Sequence, residues 1–157
     1  MDDSDLQLLL ENLKSPDPGV RDRATRQLWR LWFQQKGTAG LEQLRRAEDC
    51  LQTGAVSDAE VILTQLIRDL PDFAEAWNRR AVLYYTTRQF TKALRDCEEV
   101  VRLNPVHFGA LHGVGLCHAA LGNYPRAIAA FRRALEFQPD TVENQRLIHG
   151  CIADLGI

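Results

Sequence analysis

The chain has 157 residues, 45% of them apolar and 25% charged, with a formal net charge of −2. That length suits one ordinary domain with a buried core, and the composition excludes wholesale disorder. Acids and bases alternate along the chain, so no basic face exists to displace counterions from nucleic acid.

Ser4 and Gln7 stand at capping-box spacing before a helix carrying Leu6, Leu9, Leu10 and Leu13. The start MDDSDLQ is acidic, which fits neither a secretory signal nor a transit peptide. SPDPG breaks the first helix, and a second is predicted from about Val20 to Lys36, stopped at Gly37. On it Trp29, Trp32 and Phe33 share one face at i, i+3, i+4 spacing, with Leu28 and Leu31 flanking. No apolar run reaches the roughly 18 residues of a membrane span. The four cysteines, Cys50, Cys97, Cys117 and Cys151, form no C-x-x-C pair, which suits buried thiols in a reducing cytoplasm.

From Gly40 onward one interval dominates. Pro71, Pro105 and Pro139 are 34 residues apart, as are Ala59, Ala93 and Ala127. Ala47, Ala81 and Gly115 repeat it with small residues; Val56, Phe90 and Tyr124 repeat it with large ones. Each unit reads as two helices: Trp77, Ala81 and Tyr84 mark the first in one copy, and Phe90, Ala93, Leu94, Cys97 and Val100 the second. Small residues at Ala81 and Ala93 allow the two backbones to approach. Asn104-Pro105 ends the second helix. Gly54 and Gly122 supply turns between paired helices, where a positive φ is cheap.

The patterns W-x2-R-A-x2-Y…F-x2-A…P from Trp77 and L-x3-G…Y-x2-A-x3-F…P from Leu111 resemble tetratricopeptide repeats. Residues 40–71 resemble a more divergent copy, with Gln43 where a large apolar residue is usual. The phrases WNRRAVLYY and NPVHFGALHGVGLC also resemble a group of small bacterial and plastid repeat proteins. The resemblance implies an all-α solenoid of three helix-turn-helix units (about 40–73, 74–107 and 108–140) and a capping helix over 141–155. This repeat domain, 40–157, follows an N-terminal helical extension over 1–39. A solenoid's first unit has no upstream neighbour, so Trp29, Trp32 and Phe33 are expected to cap its open end, with groove or partner docking as the alternative.

What such a fold implies is non-catalytic: a concave groove holding a peptide or protein segment, as an adaptor, scaffold or assembly factor. Carried over by register, the groove-lining set is Arg45, Glu48, Asn78, Arg79, Val82, Tyr85, Gly109, His112, Gly113, Leu116, Arg146 and His149. Gly109 and Gly113 either leave backbone bare for a partner or are filled by Tyr85 or Arg79. Asn78 either bonds a peptide backbone or bonds a neighbouring helix. Repeats that grip heat-shock chaperone tails use a lysine–asparagine pair and later basic residues. Here those slots hold Leu44, Glu48, Gly109 and Gly113, so a chaperone tail is not expected.

Two further readings stay open. One is self-association; the expected state is a monomer or weak homo-oligomer. The other is a metal- or thiol-dependent activity around Cys117 and His118, near His107 and His112. No second ligand cluster converges on them, and Cys97 and His118 take core slots in register with Leu63 and Tyr84, so neither a metal nor a cofactor is expected. Glycine-rich phosphate loops and G-x-S-x-G are absent from the sequence.

Overall fold

The computed structural model describes residues 2–156, which form nine helices. They are α1 (Asp3–Asn12), α2 (Pro18–Phe33), α3 (Gly37–Gln52), α4 (Val56–Asp69), α5 (Ala74–Thr86), α6 (Phe90–Leu103), α7 (Phe108–Ala120), α8 (Tyr124–Phe137) and α9 (Val142–Asp154). Helices α3–α4, α5–α6 and α7–α8 are three hairpins stacked in chain order, and α9 packs on α8. Strands are absent among the described residues.

The 34-residue interval survives at the level of single hydrogen bonds. At the turn within each hairpin, Ala55, Gln89 and Asn123 donate their amides to the carbonyls of Cys50, Tyr84 and His118 at 2.7, 2.7 and 2.8 Å. This six-to-one bond needs a left-handed residue just before it. Gly54 and Gly122 fill that place at φ +79°, and in the second repeat Arg88 does so at φ 62°. At the turns between hairpins, Phe73, His107 and Thr141 donate to Leu70, Asn104 and Gln138. These three residues are the N-caps of α5, α7 and α9, and form one edge of the array.

Small residues set the spacing of the layers. Ala59, Ala93 and Ala127 are fully buried, and Ala47 and Ala81 nearly so. The Phe131 ring occupies the space a Cβ at Gly115 would need, so α7 and α8 approach face to face. Leu63 and Phe131 are fully buried at matching places in α4 and α8, and Cys97 is buried between them in sequence register.

Two local expectations change. Helix α1 begins at Asp3, so Ser4 lies inside it, and its hydroxyl donates to Asp2 Oδ2 at 2.7 Å instead of capping. The side-chain cap falls on α2, where Asp17 Oδ1 accepts from the Gly19 amide at 2.8 Å.

The larger correction concerns Trp29, Trp32 and Phe33. Helix α2 does not cover the open end of the first repeat. It runs along the edge formed by the inter-repeat turns, from the last hairpin back to the first. Near its start Arg21 lies 3.7 Å from Asp140, and Thr25 accepts from Gln138 at 3.2 Å. Midway, Trp29 and Trp32 pack on His107 and Phe108. At its end Phe33 reaches the core of the first two repeats, and Lys36 bonds Asp72 at 2.6 Å.

The apolar surface along this edge accounts for the path. Arg80 reaches back to Thr64 of the preceding hairpin, so its register mate Arg46 marks the leading face of the first repeat. Gln43, Arg46, Gln65 and Asp69 line that face together with Val61, Ile62 and Leu66. The edge offers Val106, Phe108 and Phe137, on which Leu10, Leu13, Leu28 and Trp32 are buried. Each large side chain buried there contributes about 1.5–3 kcal/mol.

Candidate binding groove

The edge helix rests on a polar centre. Glu75 and His107 are both fully buried, and His107 Nε2 lies 2.5 Å from Glu75 Oε1. His107 Nδ1 accepts the Ala110 amide at 3.0 Å, so it carries no proton and Nε2–H donates to the carboxylate. On the other oxygen, Glu75 Oε2 accepts from Asn78 at 3.3 Å and faces Arg79 Nε at 4.0 Å. A buried carboxylate is tolerated when its oxygens are matched in this way. Trp32 stacks on the His107 ring at 4.3 Å and 20°, and Trp29 meets it edge-on at 5.2 Å. The indoles therefore form the lid over a histidine hydrogen-bonded to a buried carboxylate.

On the concave side, Asn78, Val82 and Tyr85 of α5 face Gly109, His112, Gly113 and Leu116 of α7 around a cavity of about 190 Å³. Ala81, Cys97 and Cys117 complete its lining. Its origin is local. Where the flanking repeats place Leu63 and Phe131, this one has Cys97, and Gly113 opposite has no side chain; a Cβ there would come within 2.9 Å of Cys97 Sγ. Gly113 thus packs closely on the Cys97 thiol, and with no side chain of its own it leaves the groove above it open. The walls are firm. Tyr85 packs edge-on against Phe90, and His112 Nδ1 donates to Asn144 Oδ1 of α9 at 2.6 Å.

A second cavity, of about 220 Å³, lies beside it among Phe33, Leu41, Leu44, Arg45, Glu48 and Arg79. Arg79 divides the polar work here: its guanidinium lies over the Phe33 ring at 4.6 Å and its Nη1 is 3.5 Å from Glu48.

Of the twelve residues placed in the groove by register, seven surround the first cavity and Arg45, Glu48 and Arg79 the second. Arg146 and His149 are exposed on α9 and line neither. The Gly109 backbone is not bare, nor filled by Tyr85 or Arg79: the Trp29 ring lies on it, 2.7 Å from where a Cβ would stand. Asn78 bonds Glu75 of its own helix, which was neither alternative. Of the metal candidates, His107 is engaged with Glu75 and His118 is buried on α7, and no cluster of three or more ligating side chains exists among the described residues.

Sequence reasoning missed Glu75 and His107 as partners. The usable signal was Gly109, a glycine in register with Glu75 and Glu143, where a bulky aromatic from elsewhere could rest.

Comparison with known proteins agrees with this architecture. A tetratricopeptide repeat family model matches residues 41–99 and 81–141. A TPR repeat-containing protein of Rhizobium etli is 30% identical over 134 residues, covering 85% of this chain. The chain spans 65% of that relative's length, and a third or less of the other curated relatives it matches. Among solved structures, the first TPR of Spaghetti, bound to an HSP90 peptide, has a TM-score of 0.72 at 22% identity, covering 74% of this chain and 93% of its own. MamA AMB-1 has a TM-score of 0.68 at 21% identity, covering 99% of this chain and 85% of its own. Three hairpins repeating at 34 residues, down to their turn hydrogen bonds, and a family model matched across them make this chain a member of the tetratricopeptide repeat family.

Proposed function

We propose that the chain is a non-catalytic interaction module that holds one extended or helical segment of a partner protein along its concave face, with a bulky apolar side chain of that segment in the Asn78–Leu116 cavity. The observation that carries this is the cavity itself. At about 190 Å³ it exceeds the ~150 Å³ that holds a benzene ring in a protein interior, and it is bounded by Val82, Tyr85 and Leu116. A pre-formed pocket with few polar groups is what anchors a side chain at an interface. The polar residues around it are already committed: Asn78 to Glu75, His112 to Asn144 and Arg79 to Glu48. They orient a partner and leave no activated nucleophile.

The role is that of an adaptor, scaffold or assembly factor. Several structural neighbours are complexes with HSP70 or HSP90 peptides, and Hsp70–Hsp90 organizing proteins are among the relatives. Against the same ligand here stands the chemistry of the clamp positions. Leu44 is buried, Glu48 is anionic, Gly109 lies under Trp29 and Gly113 faces Cys97. An acidic tail finds no cationic pair there.

The test is selection of displayed random peptides on the intact chain, counter-screened on Val82→Glu. Val82 is 46% exposed, so the substitution charges the pocket wall without entering the core. Enriched peptides should share one bulky apolar residue and lose at least about tenfold in affinity, 1.4 kcal/mol, on the variant. Peptides that bind both proteins equally refute the groove assignment.

A further inference from the structure

The second cavity on the concave side is not built by the repeats alone. Its lining joins Phe33, the last residue of α2, to Leu41, Leu44, Arg45 and Glu48 of α3 and Arg79 of α5. Only residues 34–36 separate α2 from α3, so a short connection carries the Phe33 ring beside the first turns of α3. Two contacts hold it there. The Arg79 guanidinium lies over the ring at 4.6 Å, and Lys36 bonds Asp72 at 2.6 Å, tying the end of α2 to the turn before α5. The N-terminal extension therefore braces the edge and also supplies a wall of the groove.

We propose, resting on the groove reading above, that this cavity is a second anchor subsite for the partner segment. It takes an apolar side chain flanked by an acidic residue, whose carboxylate pairs with Arg45.

Volume and charge both support this. At about 220 Å³ the cavity exceeds the ~150 Å³ that holds a benzene ring, and Phe33, Leu41 and Leu44 give it apolar walls. Its rim carries two guanidinium groups and one carboxylate. Glu48 lies 3.5 Å from Arg79 Nη1, which matches those two charges. Arg45 is exposed and has no ion-pair partner among the described residues, so one positive charge is left over. A carboxylate docked there completes the set, with the modest, salt-sensitive attraction of an exposed pair. This differs from the grip on a chaperone tail, whose slots hold Leu44, Glu48, Gly109 and Gly113. It takes one acidic side chain beside an apolar one.

The two cavities also set a spacing. One lies between α3 and α5, the other between α5 and α7. A helix with its side chains is ~10–12 Å across. An extended chain advances ~3.3 Å per residue, with alternate side chains on one face. The two anchors of an extended segment therefore stand about four residues apart. The residue beside an anchor points away from the cavity floor, toward the rim where Arg45 is exposed.

The test is selection of displayed random peptides on the intact chain and on Arg45→Glu, with each enriched peptide also titrated against Val82→Glu. Arg45 is exposed, so reversing its charge leaves the core intact. Peptides from the intact chain should share two apolar residues about four apart, with an aspartate or glutamate beside one of them. On Arg45→Glu they should bind about fivefold more weakly, and exchanging that acid for lysine in the peptide should restore the loss to within about twofold. Phe33→Ala removes a wall and should weaken the same peptides by about tenfold or more. Where that truncation also loosens α2, the Arg45 charge exchange decides alone. Peptides that fail on Val82→Glu yet carry a single apolar anchor and no acid overturn the proposal and leave the groove reading standing. So does a lysine or arginine preference matched to Glu48, or equal affinity for Arg45→Glu. Peptides indifferent to Val82→Glu overturn the groove reading and this proposal with it.

Discussion

Truncating Trp32 to alanine tests the edge-helix packing most sharply. The indole is 9% exposed and stacks on His107, itself fully buried against Glu75. A buried tryptophan removes roughly 200 Å² from water, worth about 5 kcal/mol at ~25 cal/mol/Å². Large-to-small truncations of this kind cost about 3–5 kcal/mol. The loss is bounded by the free energy that holds α1–α2 against the edge, since beyond that the helices undock. Urea unfolding followed by circular dichroism should therefore show destabilisation of about 3 kcal/mol. Hydrogen exchange locates it. The Ala110 and Leu111 amides, bonded to His107 Nδ1 and its carbonyl, should exchange about a hundredfold faster, while those of α3 change little. Loss of protection confined to α3–α4, or destabilisation under about 1 kcal/mol, refutes the edge packing and returns the tryptophans to the first repeat.

Other perturbations probe separate links. Arg88 sits at φ 62° where the other repeats place glycine, so Arg88→Gly should raise the midpoint of urea unfolding, by up to about 1 kcal/mol in stability. Burial holds the His118 imidazole below its ordinary range, and its Nδ1 is buried without a hydrogen-bond partner. The unfolded chain therefore binds this proton more tightly. The stability tied to it is intact above the ordinary value of 6.5 and is lost as pH falls from there through the depressed folded value. His118→Gln should flatten the pH dependence of urea unfolding below 6.5, by no more than about 1.4 kcal/mol per pH unit; an unchanged slope contradicts it. Enlarging the cavity floor by Cys97→Leu, the residue type of the first repeat's Leu63, should cost about 1–3 kcal/mol as an overpacked site and block peptide capture by the protein that remains folded. Titration of a selected peptide by fluorescence anisotropy reads that result.

The hairpins were legible because they depend on local chemistry repeated at a fixed interval: small residues at Ala59, Ala93 and Ala127, turn formers at Gly54 and Gly122, and prolines after each second helix. Arg88 escaped notice because the turn imposes its backbone on a residue that does not advertise it. Spacing also placed seven residues, from Asn78 to Leu116, that surround one cavity, while the close contact of Gly113 with Cys97 at its floor was not read. Nor was the path of α2. An aromatic stripe says that a face will be buried, and it does not say against what. The decision lay in a distant surface, the apolar edge at Val106, Phe108 and Phe137. Glu75 and His107, 32 residues apart, became partners only through the superposition of two hairpins.

The central claim is that partners enter between α5 and α7. A photo-crosslinking residue placed at Val82, 46% exposed on the cavity wall, tests it in cells against the same residue at Val61, 68% exposed on α4 of the first repeat. The account predicts a discrete adduct from Val82 that Cys97→Leu suppresses, and none from Val61. An adduct from Val61 alone, or one from Val82 that persists when the cavity is filled, contradicts it.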